Sequence, residues 1–118
     1  MTTTSALLDQ DLIAEIRRIE QVGGRGGIFA RCVRNLESNL AAFSEAFAAS
    51  VARGDTVGAA RAAHSLKGSC QQLGAQALGE LFADIERCAK VGNYAEALRT
   101  FDGGAALIAD SLEALKRA

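Results

Sequence analysis

Proline and tryptophan are absent from this chain, and histidine, tyrosine and methionine occur once each. Strand-favouring runs of valine, isoleucine and threonine are missing too, and this composition points to an all-α fold. Long apolar runs are absent as well. No stretch approaches the roughly 20 residues that span a bilayer, and no basic segment followed by an apolar one opens the sequence. The expectation is a soluble, cytoplasmic protein with no membrane partner. Nor is there an excess of charge of one sign. A net charge of −1 leaves no basic stripe of the kind nucleic acid demands, so DNA and RNA are disfavoured as partners.

Cysteine is sparse: Cys32, Cys70 and Cys88 form neither a paired framework nor a close metal-ligand spacing. Each lies on or beside an apolar helical stripe, so buried free thiols in a reducing compartment are expected. Zinc needs more nitrogen and sulfur ligands than these scattered thiols and one histidine supply, so no metal site is expected. At 118 residues the chain is one domain's length, 1–118, able to bury roughly two thirds of its unfolded surface. Hydrophobic residues make up 49%, many of them alanine, which implies a thin core with closely packed elements.

Glycines punctuate the sequence. A first helix is expected at 5–21, with Leu8, Leu12, Ile16 and Ile19 along one side, before Gly23-Gly24-Arg25-Gly26-Gly27 breaks it. That loop lacks the lysine and following serine or threonine of a nucleotide cradle and reads as a flexible turn. A second helix, 28–53, carries Phe29, Val33, Leu36, Leu40, Phe43 and Phe47 in steps of four and three, a continuous bundle seam. Gly54 suits a left-handed cap, and Asp55 or Thr56 can accept the first free amides of a third helix, 56–73. A fourth, 75–91, buries Leu78, Leu81, Phe82, Ile85 and Ala89. Gly92 closes it, and Asn93 with Glu96 resembles a capping box for a fifth helix, 94–116. Gly103-Gly104 interrupts that last helix, where a kink or local break is plausible. Short connections make consecutive helices antiparallel neighbours. The expected architecture is an up-down-up-down four-helix bundle with the N-terminal helix packed over one end. Met1 and the compact ending suggest a stand-alone chain, a segment of a hybrid kinase being the alternative.

The single histidine, His64, lies on the third helix. At about 100 degrees per residue, Leu66, Leu73, Ala59 and Ala62 cluster on one side of that helix. His64, Lys67, Gly68 and Gln71 gather on the other, with Arg61 and Gln72 at the edge. A histidine serving only the core would sit among the leucines. An imidazole facing water is largely a neutral nucleophile at neutral pH. Lys67, at i+3, shares its face and can attract an anion attached to or approaching the ring. Gly68, at i+4, costs helix stability, which suggests that the space beside the ring matters more.

The run Ala63-His64-Ser65-Leu66-Lys67-Gly68-Ser69, followed by Leu73-Gly74-Ala75, resembles the signature of histidine-containing phosphotransfer (HPt) domains. The likeness extends from the second helix to the C-terminus and includes the five-helix layout. It implies that His64 is the phospho-acceptor, modified on Nε2, that Lys67 lies near the phosphoryl oxygens, and that Gly68 leaves room for the group. A polar residue on the following helix commonly hydrogen-bonds Nδ1 in this family, and an ungapped count places Glu86 there. Gly79, two turns earlier, could let a partner approach closely. The resemblance implies reversible transfer between aspartates of response-regulator receiver domains, with a hybrid sensor histidine kinase upstream. Arg61, Gln71 and Gln72 join the docking surface in this reading. No acidic cluster flanks His64, so any Mg²⁺ belongs to the receiver. No ATP site is recognisable, so the chain reads as a monomeric phosphoryl carrier without cofactors. Two other classes remain: a scaffold bundle that binds a receiver or kinase without carrying phosphate, and a metal- or haem-binding bundle, which lacks a companion ligand in register.

Overall fold

The computed structural model describes residues 7–24 and 26–118, and among these every regular element is helical. Six helices follow in order: α1 Gln10–Val22, α2 Ile28–Ala52, α3 Thr56–Gln72, α4 Gln76–Lys90, α5 Tyr94–Gly103 and α6 Ala105–Arg117. None is long and apolar enough to cross a membrane among the described residues.

The helix ends obey local chemistry. Gly54 takes φ +69°, a left-handed turn that admits glycine without strain, and the Asp55 carboxylate then accepts from Gly58 N at 2.8 Å to cap α3. Asn93 caps α5 by accepting from Glu96 N at 3.3 Å, while the Glu96 carboxylate turns to Arg99. The expected capping box is therefore half made. At α1 the helix starts five residues later than the sequence pattern suggests. Asp9 accepts from Leu12 N at 3.2 Å and sets the start at Gln10. Position 5 lies outside the described residues, as does Arg25 of the glycine loop.

The single long C-terminal helix is two helices. The chain breaks at Gly104, where a Cβ would stand 2.6 Å from Leu81 Cδ2 of α4. The bare backbone lets the start of α6 press onto α4, which is the physical reason for Gly104; a Cβ on Gly103 would meet nothing within 4 Å among the described residues.

All six seam residues of α2 are buried, and Phe43 gathers Phe47, Phe82 and Phe101 at ring separations of 5.0 to 5.3 Å. Around this aromatic centre the core is built from small side chains. Ala59, Ala63 and Cys70 of α3 and Ala89 of α4 are fully buried, so the backbones of these two helices approach closely. Their interface is the most extensive in the molecule. Cys70 is sealed within it, and burial pushes its thiol up to about 12. Cys32 and Cys88 are only half-buried, short of the expected burial, and all three thiols are free.

The N-terminal helix is tied at both ends. Asp9 N donates to Gly74 O at 2.7 Å, and Gly74, at φ +81° in the α3–α4 turn, would place a Cβ only 3.0 Å from Ile13. At the other end Glu20 Oε2 accepts from Phe29 N at 3.0 Å and so caps α2 across the glycine loop. Ile13 is buried and Ile16 half-buried, but Ile19, expected on the packed side, is 61% exposed. The start of this helix packs on the α3–α4 turn and its later half reaches α2 through Ile16, Arg17 and Glu20, which leaves Ile19 and Val22 uncovered.

Candidate functional site

The close approach of α3 and α4 decides what His64 meets. A histidine on the outer edge of α3 stands next to the residue of α4 at the same height, and that residue is Glu86. His64 Nδ1 lies 3.0 Å from Glu86 Oε2. The imidazole side chain is 62% exposed, while the carboxylate is only 7% exposed. The ring is thus held from behind and open in front.

Burial would raise the Glu86 carboxyl, since it disfavours the charged form. Hydrogen bonds from Lys67, Lys90 and His64 outweigh that effect and hold it down at about 2. Lys67 Nζ donates to Oε1 at 2.9 Å and Lys90 Nζ to Oε2 at 3.2 Å. An ionised carboxylate only accepts, so Nδ1 must carry the proton in its bond to Glu86. The neutral ring then keeps its lone pair on Nε2, the nitrogen with no part in that bond. What the arrangement can do chemically follows: an accessible imidazole nitrogen, oriented by a buried anion, with two cations within one helical turn.

Each residue singled out in the sequence has a definite place. Gly68 is half-buried, and among the described residues a Cβ on it would meet nothing within 4 Å, so the space beside the ring is open. Lys67 is not the free solvent-facing cation that its position on the helix suggests. Its side chain is 25% exposed and paired to Glu86, because the short distance between helices puts that carboxylate within its reach. Gly79 needs a second correction. It is buried rather than open to a partner: a Cβ there would come within 3.3 Å of Gln71 Cγ. The close approach that this glycine permits is used by α3 itself.

Arg61 is exposed and lines, with His64, Glu86, Lys90, Val57 and Ala60, an open cavity of about 340 Å³. Gln71 is exposed and lies over Gly79. Gln72 is exposed on another side, in a groove of about 490 Å³ formed with Ile16, Phe29, Cys32 and Leu36. The fold therefore brings His64, Lys67, Gly68, Glu86 and Arg61 together and sets Gln72 apart. Among the described residues no cluster of three or more His, Cys, Asp or Glu could hold a metal ion.

Lys90 is the residue that sequence reasoning missed. Its signal is the i,i+4 spacing from Glu86, which places cation and carboxylate on one face of α4.

Compared with known proteins, the chain matches one family pattern, the Hpt domain, over residues 28–118. That span runs from α2 to the C-terminus and contains His64 and each of its neighbours above. No curated relative and no solved structure matches it.

Proposed function

The chain belongs to the Hpt domain family, whose members act in histidine phosphotransfer within two-component phosphorelays, and we propose that His64 is the residue that carries the phosphoryl group. The observation that supports this reading is the bond from Nδ1 to the buried Glu86 carboxylate, with the rest of the ring open to a visitor.

The partner is a receiver domain bearing an aspartyl phosphate. The Nε2 lone pair attacks phosphorus in line with the aspartate oxygen. The N–P bond forms as the P–O bond to the aspartate breaks, and that oxygen leaves as part of a carboxylate. The ring keeps its Nδ1 proton throughout and becomes a phosphorylated imidazolium, whose positive charge Glu86 faces. The reverse sequence delivers the group to an aspartate of a second receiver. Lys67 and Lys90, both tied to Glu86 in the unmodified protein, are the cations placed to turn toward the phosphoryl oxygens. Gly68 supplies the clearance. Mg²⁺ for the reaction sits on the receiver, and a hybrid sensor histidine kinase feeds the relay.

In this reading the protein is a monomeric cytoplasmic carrier, not a kinase. Its scaffold is the antiparallel four-helix bundle, with α5 and α6 together serving as the fourth member and α1 laid over one end. A scaffold that merely binds a receiver would take no label.

The test is incubation with a phosphorylated receiver, followed by a search for acid-labile, base-stable label. His64→Gln, with helical content intact, abolishes that label if the assignment holds. Label retained in the variant removes His64 from the reaction.

A further inference from the structure

One wall of the His64 site has no part in the chemistry above. The cavity of about 340 Å³ lies toward the N-terminal end of α3, bounded by the imidazole ring, by Val57 and Ala60, and by Arg61 and Lys90 at its rim. Val57 and Ala60 give it an apolar side, and Val57 is 64% exposed, so an apolar side chain stands largely in water beside the ring. Val91, just past the end of α4, is 78% exposed. A hydrogen bond of 2.6 Å between Thr56 Oγ1 and Tyr94 Oη ties the start of α3 to the start of α5, close in sequence to both valines. The start of α3, which carries Val57, is therefore fixed in place. Among the described residues Arg61 makes no ion pair, which leaves its charge available at the rim.

We propose that this cavity is a specificity pocket for the receiver, taking one apolar side chain that the receiver presents beside its acidic phosphorylation site. The inference rests on the phosphocarrier reading of His64. Two observations favour this occupant. The cavity is continuous with the ring, so a protein that brings an acyl phosphate to Nε2 lies over its mouth. Lys90 is balanced by Glu86, which also lines the cavity, but Arg61 stands, among the described residues, as an unpaired cation beside the apolar Val57 and Ala60, the complement of an apolar residue next to a carboxylate. Val57 then discriminates between receivers by the fit of a single side chain.

Val57→Asp tests this without threatening the fold. Position 57 lies in the first turn of α3, where a carboxylate is favoured by the helix dipole, and the native side chain is mostly in water. Two donors are compared: phosphoramidate, which needs no docking surface, and a receiver domain charged with acetyl phosphate that labels the wild type. Labelling by phosphoramidate should stay within about twofold, while transfer from the receiver at subsaturating concentration falls about tenfold or more. Val57→Leu should keep receiver transfer near the wild-type rate. Equal rates for Val57→Asp and wild type with the receiver would overturn the proposal. So would a parallel loss with phosphoramidate, because the effect would then lie in the imidazole and not in docking. Failure of the wild type to accept label from either donor would instead strike the phosphocarrier reading itself.

Discussion

Glu86 does two things at once, and a pair of substitutions separates them. Its charge balances Lys67 and Lys90, and its oxygen accepts the Nδ1 proton of His64. Glu86→Gln removes the charge but keeps an oxygen that can accept from Nδ1. Glu86→Leu removes both. The carboxyl falls from 4.5 to about 2 on folding. At about 1.4 kcal/mol per unit that shift is worth about 3 kcal/mol. Lys90 and His64 are 64% and 62% exposed, so solvent screening reduces the expected loss in either variant to about 1–2 kcal/mol.

The sign is fixed by the direction of the shift. A carboxyl depressed in the folded state stabilises fully above its unfolded value and loses that contribution as pH falls toward the folded one. Urea unfolding of wild type and Glu86→Gln should therefore differ by about 1–2 kcal/mol at pH 7, and by less than half as much near pH 3. A gap that is unchanged between the two pH values would refute the electrostatic argument. Nitrogen NMR of the imidazole reads the other function. Wild type and Glu86→Gln should hold the proton on Nδ1, whereas Glu86→Leu lets it redistribute and slows phosphoryl transfer about tenfold. A leucine variant with the wild-type tautomer and rate would show that the ring is oriented by something else.

Lys67→Ala should slow transfer in both directions and cost about 1 kcal/mol of stability, since the lysine is three-quarters covered and paired; rapid-quench kinetics and urea melts check both. Gly68→Gln should stabilise the helix by about 0.5–1 kcal/mol, because a Cβ there meets nothing, yet obstruct the phosphoryl group. A melting temperature that rises while the transfer rate falls is the expected pair of results, and an unaffected rate would remove the clearance argument. Among the described residues Ser111 Oγ on α6 is buried without a hydrogen-bond partner, so Ser111→Ala should raise stability by about 1 kcal/mol and leave transfer untouched.

How much of this could be read from the sequence depended on whether one helix or two were involved. His64, Lys67 and Gly68 belong to a single helix, where spacing alone fixes the shared face. The seam of α2 is likewise local, and all six of its residues are buried. Glu86 could be placed only through the family resemblance, because its meeting with His64 depends on how closely two helices approach. The same distance hid the pairing of Lys67 and the part of Lys90. Gly79 is misplaced for a related reason: a glycine on a helix face looks alike in sequence whether a partner or a neighbouring helix fills the space. Gly103-Gly104 announces an interruption, but the press of α6 on Leu81 is a long-range contact with no local signature. At α1 the apolar period runs back through Leu8, which masks Asp9 as the cap.

Phosphorus and nitrogen NMR of the phosphorylated protein puts the whole scheme to its sharpest trial. With Nδ1 committed to Glu86, the phosphoryl group should reside on Nε2 of the one imidazole, with the Nδ1 proton still in place. Phosphate found on Nδ1, or on any other side chain, would mean that the buried carboxylate does not direct the reaction.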